Sequence, residues 1–290
     1  MSRIRMSEAW RGNLRKTAAV HGRSALGFTL TEMLISMAIF LAICGSAFTL
    51  LGVSQQRYQA ESQTLNSFQD ARLAMDQIVR DVSDAGFPPP NQFETPPANN
   101  GAVNVAVTPF AWSPGYLTNN PCAIGACSTP GPYGLFIETN PTPLPTPQVP
   151  AITVEYIRYK LLDSNPTILG RGVFQKSGAD PYSTIPDTML TPFVLNVMNQ
   201  ASPAQIAQIN AAYPNMFPGG NQVPLFTYLC DSSTGPQNCA NLGLLNGGTP
   251  ANIRSVLVTL IVETPTPDPQ TGQIRVIELT GEASRINSFP

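Results

Sequence analysis

The chain opens on a polar, basic stretch and then turns abruptly apolar. From Met33 to Val53 there are 21 residues without an Asp, Glu, Lys, Arg, Asn, Gln or Pro. At a rise of about 1.5 Å per residue this run spans roughly 30 Å, the hydrocarbon thickness of a bilayer, and predicts one transmembrane helix. From Ser54 to Ala85 there is no Gly or Pro. The apolar residues there keep helical spacing, with Leu65, Phe68, Met75, Val79 and Val82 on one predicted stripe. Gly86 followed by Pro88, Pro89 and Pro90 ends the pattern, as a C-cap glycine and helix-incompatible prolines do. The expectation is one helix of about 55 residues, roughly 80 Å long, apolar in its first half and amphipathic in its second.

After Gly86 the period shortens and β-rich runs alternate with Pro, Gly, Asn and Ser clusters. Predicted strands are Val103 to Val107, Gly134 to Glu138, Ile152 to Leu162, Ile168 to Phe174, Phe193 to Val197, Leu225 to Leu229, Ile253 to Glu263 and Ile274 to Thr280. The last two flank a Pro-rich turn and read as a hairpin. The whole is expected to form a mostly antiparallel sheet. Pro203 to Tyr213 has helical apolar spacing behind Ser202, an N-cap residue, and predicts a short helix inside an insertion at residues 199 to 222. Pro88 to Asn100 and Asn140 to Pro150 are Pro-rich and predict extended surface loops. The fold class is therefore α+β: a long N-terminal helix and a β-rich head.

Charge sharpens the topology. Six cations (Arg3, Arg5, Arg11, Arg15, Lys16, Arg23) precede Gly27 with one anion, Glu8, and the rest of the chain carries 10 cations against 17 anions. A basic head before an apolar run predicts a cytoplasmic N-terminus and an exported remainder. The acidic remainder has no basic cluster to neutralise phosphates, so nucleic acid is excluded as a partner. Charged residues are only 12% of the chain, against 29 prolines and 22 glycines, which suits a loop-rich exported domain. Cys44 lies in the apolar run, while Cys122, Cys127, Cys230 and Cys239 form an even set in the polar part. Two local disulfides suit an oxidising compartment, and the other two pairings stay open.

Between the basic head and the apolar run stands Gly27-Phe28-Thr29-Leu30-Thr31-Glu32. This hexamer resembles the processing site of type IV prepilins: glycine, an aromatic or Met, a small hydroxyl residue, Leu, any residue, and Glu. The resemblance implies that a prepilin peptidase cuts between Gly27 and Phe28 on the cytoplasmic side and methylates the new N-terminus. Leu30 and Glu32 would then serve subunit assembly, Glu32 against the cationic N-terminus of a neighbour. An ordinary signal peptide is cut after its apolar segment, whereas a cut here precedes the segment and keeps the helix. Gly45-Ser46-Ala47 would suit conventional signal peptidase, and Leu41-Ala42-Ile43-Cys44 resembles a lipoprotein box but has Ile43 where a small residue is required. Both leave Glu32 unexplained, although a carboxylate in a first helical turn is also favoured by the helix dipole alone.

A second resemblance covers much of the remaining chain. The helix ending Arg72-Leu73-Ala74-Met75-Asp76-Gln77-Ile78-Val79-Arg80-Asp81-Val82-Ser83-Asp84-Ala85-Gly86 is similar to that of PilW-like minor pilins and of J-type minor pseudopilins of type II secretion. Val154-Glu155-Tyr156-Ile157-Arg158-Tyr159 with Leu169-Gly170-Arg171 looks like their strand pair, and Leu225-Phe226-Thr227-Tyr228 with Asp231 and Gly235 like their Phe-x-Tyr-x-Asp segment. The insertion at residues 199 to 222 and the Pro-rich loops depart from the pattern and favour the PilW-like pilus component.

The resemblance implies a leader at residues 1–27, a transmembrane half-helix at 28–53, an amphipathic half at 54–86 and an exported pilin head at 87–290. The implied partners are prepilin peptidase, other minor and major pilins, the inner-membrane assembly platform, and membrane lipid before assembly. The implied location is the inner membrane and then a cell-surface or periplasmic filament. The role is structural or priming, with a tip adhesin as the alternative.

No enzyme is expected. The only histidine is His21, in the leader, which removes Ser-His-Asp and Cys-His catalysis from the processed chain. Asp76, Asp81 and Asp84 beside Arg72 and Arg80 read as a solvated, salt-bridged helix face. No cofactor is expected. Asp163-Ser164-Asn165 and Asp231-Ser232-Ser233 are the loops in which calcium could be sought, but turn formation explains both and no metal is assigned.

Overall fold

A computed structural model of the chain describes residues 27–87, 106, 108–112, 131–140, 154–177, 184–243, 249–268 and 271–286. The chain divides into two compact units, Met1–Val53 and Ser54–Pro290. Helix α1, Leu30–Ser83, has 54 residues and supplies the described part of the first unit and the start of the second.

In the first unit the large apolar side chains are exposed, and the most apolar window of α1 has none of its residues buried within the chain. This helix is long and apolar enough to cross a membrane. Its few hydroxyls are satisfied locally: Ser36 Oγ donates to the Glu32 carbonyl at 2.7 Å, Ser46 Oγ to Ile43 at 2.8 Å and Thr49 Oγ1 to Gly45 at 2.6 Å. Such back-bonding removes the cost of placing a hydroxyl in an apolar medium.

Among the described residues the second unit has eight strands: β1 (Gly134–Thr139), β2 (Glu155–Leu162), β3 (Asn165–Gln175), β4 (Thr191–Val194), β5 (Phe226–Cys230), β6 (Gln237–Asn238), β7 (Ile253–Glu263) and β8 (Val276–Ser284). They form two four-stranded sheets, ordered β1-β2-β3-β4 and β6-β5-β7-β8, with every described strand pair antiparallel. Where the sequence pattern suggested one sheet there are two, bridged at Val197 and Val262. The expected strand Phe193 to Val197 is cut short at Val194. Asn196 takes a φ of 58°, a left-handed conformation that Asn tolerates and a strand does not. The strand expected at Val103 to Val107 and both Pro-rich stretches fall outside the described residues, apart from Ala106 and Asn140, neither in a strand.

One core joins α1 to both sheets: Ala71, Ala74, Met75, Ile78 and Val82 pack with Leu135, Ile137, Ile157 and Leu169 of one sheet and with Val256, Val258 and Leu260 of the other. The buried stripe differs from the expected one. Leu65 is 59% exposed, and Phe68 and Val79 are only partly buried. Ala71 and Ala74 are almost fully buried and belong to this core. At Gly281 of β8 an added Cβ would lie 3.1 Å from the Met75 sulfur.

The helix end is tied into the head. Gly86 has a φ of 81° and its N–H donates to the Glu138 carbonyl at 2.8 Å. Thr139 Oγ1 donates to the Asp84 carbonyl at 2.7 Å and the Ile286 N–H to that of Ser83 at 3.1 Å, so carbonyls orphaned by the end of α1 are satisfied from two strand-flanking segments. The insertion forms helix α2, Pro203–Ala212, opened by a reciprocal capping box between Ser202 and Gln205. Ile206 and Ile209 build a separate small core with Met198, Phe217, Ile261 and Val276.

Gly170 of β3 is enclosed: an added Cβ would stand 2.8 Å from Leu162 Cδ2 and 2.9 Å from Leu190 Cβ. Gly170→Ala is expected to destabilise the protein by about 1–3 kcal/mol through overpacking, read as a lower midpoint in urea unfolding.

Candidate functional site

Two places concentrate the chemistry: the start of α1 and the buried charges that fix its end. At the start, Thr29 is the N-cap and Glu32 the third helical residue. The Glu32 carboxylate accepts from the Thr29 N–H at 3.0 Å and from its hydroxyl at 2.9 Å, and Thr29 Oγ1 accepts from the Glu32 N–H at 3.3 Å. This reciprocal box satisfies amides that would otherwise be orphans and fixes the carboxylate at the helix entrance. Within a single chain the Glu32 carboxylate therefore serves its own helix start. Phe28 and Leu30 flank it, 82% and 77% exposed. At Gly27 an added Cβ would meet nothing within 4 Å, so the described fold makes no steric demand for glycine there.

At the other end, Asp81 overturns the expectation of a solvated acidic face. It is 5% exposed. Its carboxylate accepts from Tyr159 Oη of β2 at 2.6 Å, from Arg171 of β3 at 2.8 Å and 3.2 Å, and from Gln77 Nε2 at 2.7 Å. Arg171 Nε also donates to the Tyr159 hydroxyl at 2.8 Å, and its guanidinium lies 5.6 Å from the centre of the Tyr159 ring. Burial, and then the Asp81 charge, push the Tyr159 hydroxyl well above its ordinary pKa, so it remains a donor. Asp76, Asp84, Arg72 and Arg80 are exposed, as a solvated face requires. Position was the missed signal: Asp81 follows Ala74 and Ile78 at the seven- and three-residue spacings that share a helix face.

A second buried pair joins Lys176 Nζ to Glu138 at 2.7 Å, both side chains fully enclosed. Burial pushes the Lys176 pKa down, and the Glu138 carboxylate opposes that. The two loops considered for calcium hold ion pairs. Asp163 accepts from Lys160 at 2.6 Å, and Asp231 from Arg254 at 3.2 Å across exposed surface. Lys160 also reaches Asp187 at 3.0 Å, which accepts the Asp163 N–H at 2.9 Å. Burial would raise the Asp187 pKa, but the Asp163 amide, Lys160 and Arg158 outweigh it and hold the carboxyl below its ordinary value. Cys230 and Cys239 are joined by a disulfide with a Cα separation of 5.0 Å, and Cys44 is free. Cys122 and Cys127 lie outside the described residues.

No known protein family, curated protein or solved structure matches the chain.

Asp81→Ala is expected to cost about 3 kcal/mol, because it strands the buried Tyr159 hydroxyl and removes the acceptor of Arg171. Asp76→Ala should change stability by less than about 0.5 kcal/mol. Urea unfolding followed by near-ultraviolet circular dichroism compares the two. The depressed Asp187 pKa stabilises the fold above the ordinary carboxylate pKa, and this contribution is lost as pH falls through the lower folded value. Asp187→Asn should flatten the acid limb of a stability-versus-pH profile.

Proposed function

We propose that the chain is a prepilin-type protein, a PilW-like minor pilin that is processed after Gly27, held in the inner membrane by residues 28–53, and assembled into or used to prime a type IV pilus. The observation that carries this reading is the hexamer Gly27–Glu32, which stands at the junction of a basic head and a helix whose first half has its large apolar side chains exposed. Three features support it. A helix apolar on every side has no stable place in water, and lipid or neighbouring helices must cover it. The described fold makes no steric demand for glycine at 27, which fits a requirement set by an external enzyme. Glu32 is held at the helix entrance by Thr29 through one carboxylate oxygen, and a neighbour's cationic N-terminus would meet the same carboxylate there.

In this reading the peptidase leaves Phe28 as the new N-terminus and methylates its amine. The subunit stays in the membrane with its N-terminus cytoplasmic and residues 87–290 exported. It then moves laterally into the filament, exchanging lipid for helix contacts along 28–53. The J-type pseudopilin of a secretion system uses the same steps, and a tip adhesin would use the loops of the head. Gene deletion separates them: loss of all surface filaments supports priming, loss of secretion the pseudopilin, and intact filaments with lost adhesion the adhesin.

Mass spectrometry of the purified protein is expected to find N-methylated Phe28 as the first residue. An N-terminus at Cys44 or Phe48 overturns the proposal. Glu32→Ala is expected to be cleaved and methylated normally but to be absent from sheared filaments. Equal incorporation of that variant would remove Glu32 from assembly.

A further inference from the structure

The insertion at 199–222 also makes one wall of a cavity. Between the end of α2 and the facing ends of β7 and β8 lies a space of about 370 Å³, within the range of small-ligand sites. Ile209, Ala212 and Tyr213 line it from the insertion, and Ile274, Val276 and Glu263 from the hairpin. Glu263 is the one carboxylate among the lining residues. Among the described residues no hydrogen bond or ion pair reaches that carboxylate, and burial alone raises its pKa. Arg275, next in the chain to Val276, the cross-strand partner of Glu263, is engaged with Asp268 at 2.7 Å.

A half-buried carboxylate without a counter-charge, set among apolar side chains and the neutral amides of Gln205, Gln208 and Gln273, is complementary to one kind of guest. A metal ion needs several oxygen or nitrogen ligands, and among the described residues no group of three or more His, Cys, Asp or Glu is gathered. An anion would meet repulsion, and a neutral apolar molecule would leave the carboxylate uncompensated. An ammonium ion on an apolar body satisfies both parts of the cavity, and the Tyr213 ring adds a surface that attracts cations.

We propose that this cavity binds a small organic cation, an alkyl- or aralkyl-ammonium ion, with its charge on Glu263 and its apolar body against Ile209, Tyr213, Ile274 and Val276. The site is independent of the filament reading and stands or falls separately.

Calorimetric titration of the full chain in nonionic detergent with 2-phenylethylammonium tests it, with 2-phenylethanol and phenylacetate as neutral and anionic counterparts. The ammonium is expected to bind saturably and phenylacetate not at all. The alcohol should bind at least about tenfold more weakly than the ammonium, and Glu263→Gln should weaken the ammonium by a similar factor, the value of a charge-assisted hydrogen bond. Ala212→Trp, at an exposed position on the cavity wall, should abolish binding with the carboxylate intact and the circular dichroism spectrum unchanged. Absence of saturable binding to the wild-type chain overturns the proposal. So does affinity unaffected by either substitution, which would place the ligand elsewhere or in the micelle. Should Glu263→Gln fail to fold, Ala212→Trp and the ammonium-to-alcohol comparison decide the matter.

Discussion

The buried Asp81 carboxylate is the constraint on which the second unit turns. It sits on α1, yet hydroxyl and guanidinium donors come to it from β2 and β3, 78 and 90 residues further along the chain. A helix packed by hydrophobic contact alone can rotate or slide by a residue at modest cost. One whose buried carboxylate must meet both Tyr159 and Arg171 cannot, because any shift leaves charged and polar groups enclosed without partners. The bonds from Gly86, Thr139 and Ile286 at the helix end fix the same register along the axis. The alanines and Met75 then supply close packing within a geometry that the polar cluster has specified.

The first unit obeys the opposite rule. Its described large apolar side chains are exposed, and its hydroxyls are satisfied within the helix itself. A core joins the helix and sheets of the second unit, whereas the apolar stretch of α1 in the first unit is long and apolar enough to cross a membrane. The polar groups at its entrance are arranged economically: Thr29 and Glu32 cap each other and leave the exposed Phe28 and Leu30 beside them.

The insertion is a third case. Its capping box is local, formed by residues three apart, but its hydrophobic residues find partners in Ile261 and Val276 of the β7–β8 hairpin. A small core of its own lets the segment extend the head without disturbing the main core, and it leaves a cavity where the two meet strands of fixed length. The carboxylate in that cavity is the clearest departure from the otherwise paired buried charges, Asp81 with Arg171 and Glu138 with Lys176.

What the sequence alone determined is everything set by near neighbours. The apolar run, the end of α1 shortly before Gly86, the capping of α2 by Ser202, and most strand positions follow from periods and turn residues that act over a few positions. The hexamer at 27–32 is likewise a local pattern and was legible as one, whereas the reciprocal capping of Thr29 and Glu32 was read only from the structure. The tertiary structure decided what depends on distant partners: the division of the strands into two sheets, the halt of β4 before Asn196, the choice of Ala71 and Ala74 over Leu65 for the buried face, and the burial of Asp81. The physical reason is that a carboxylate on a helix looks solvated until its partners are known. Tyr159 and Arg171 reach it only because two strands pair beside the helix, and no local pattern encodes that meeting.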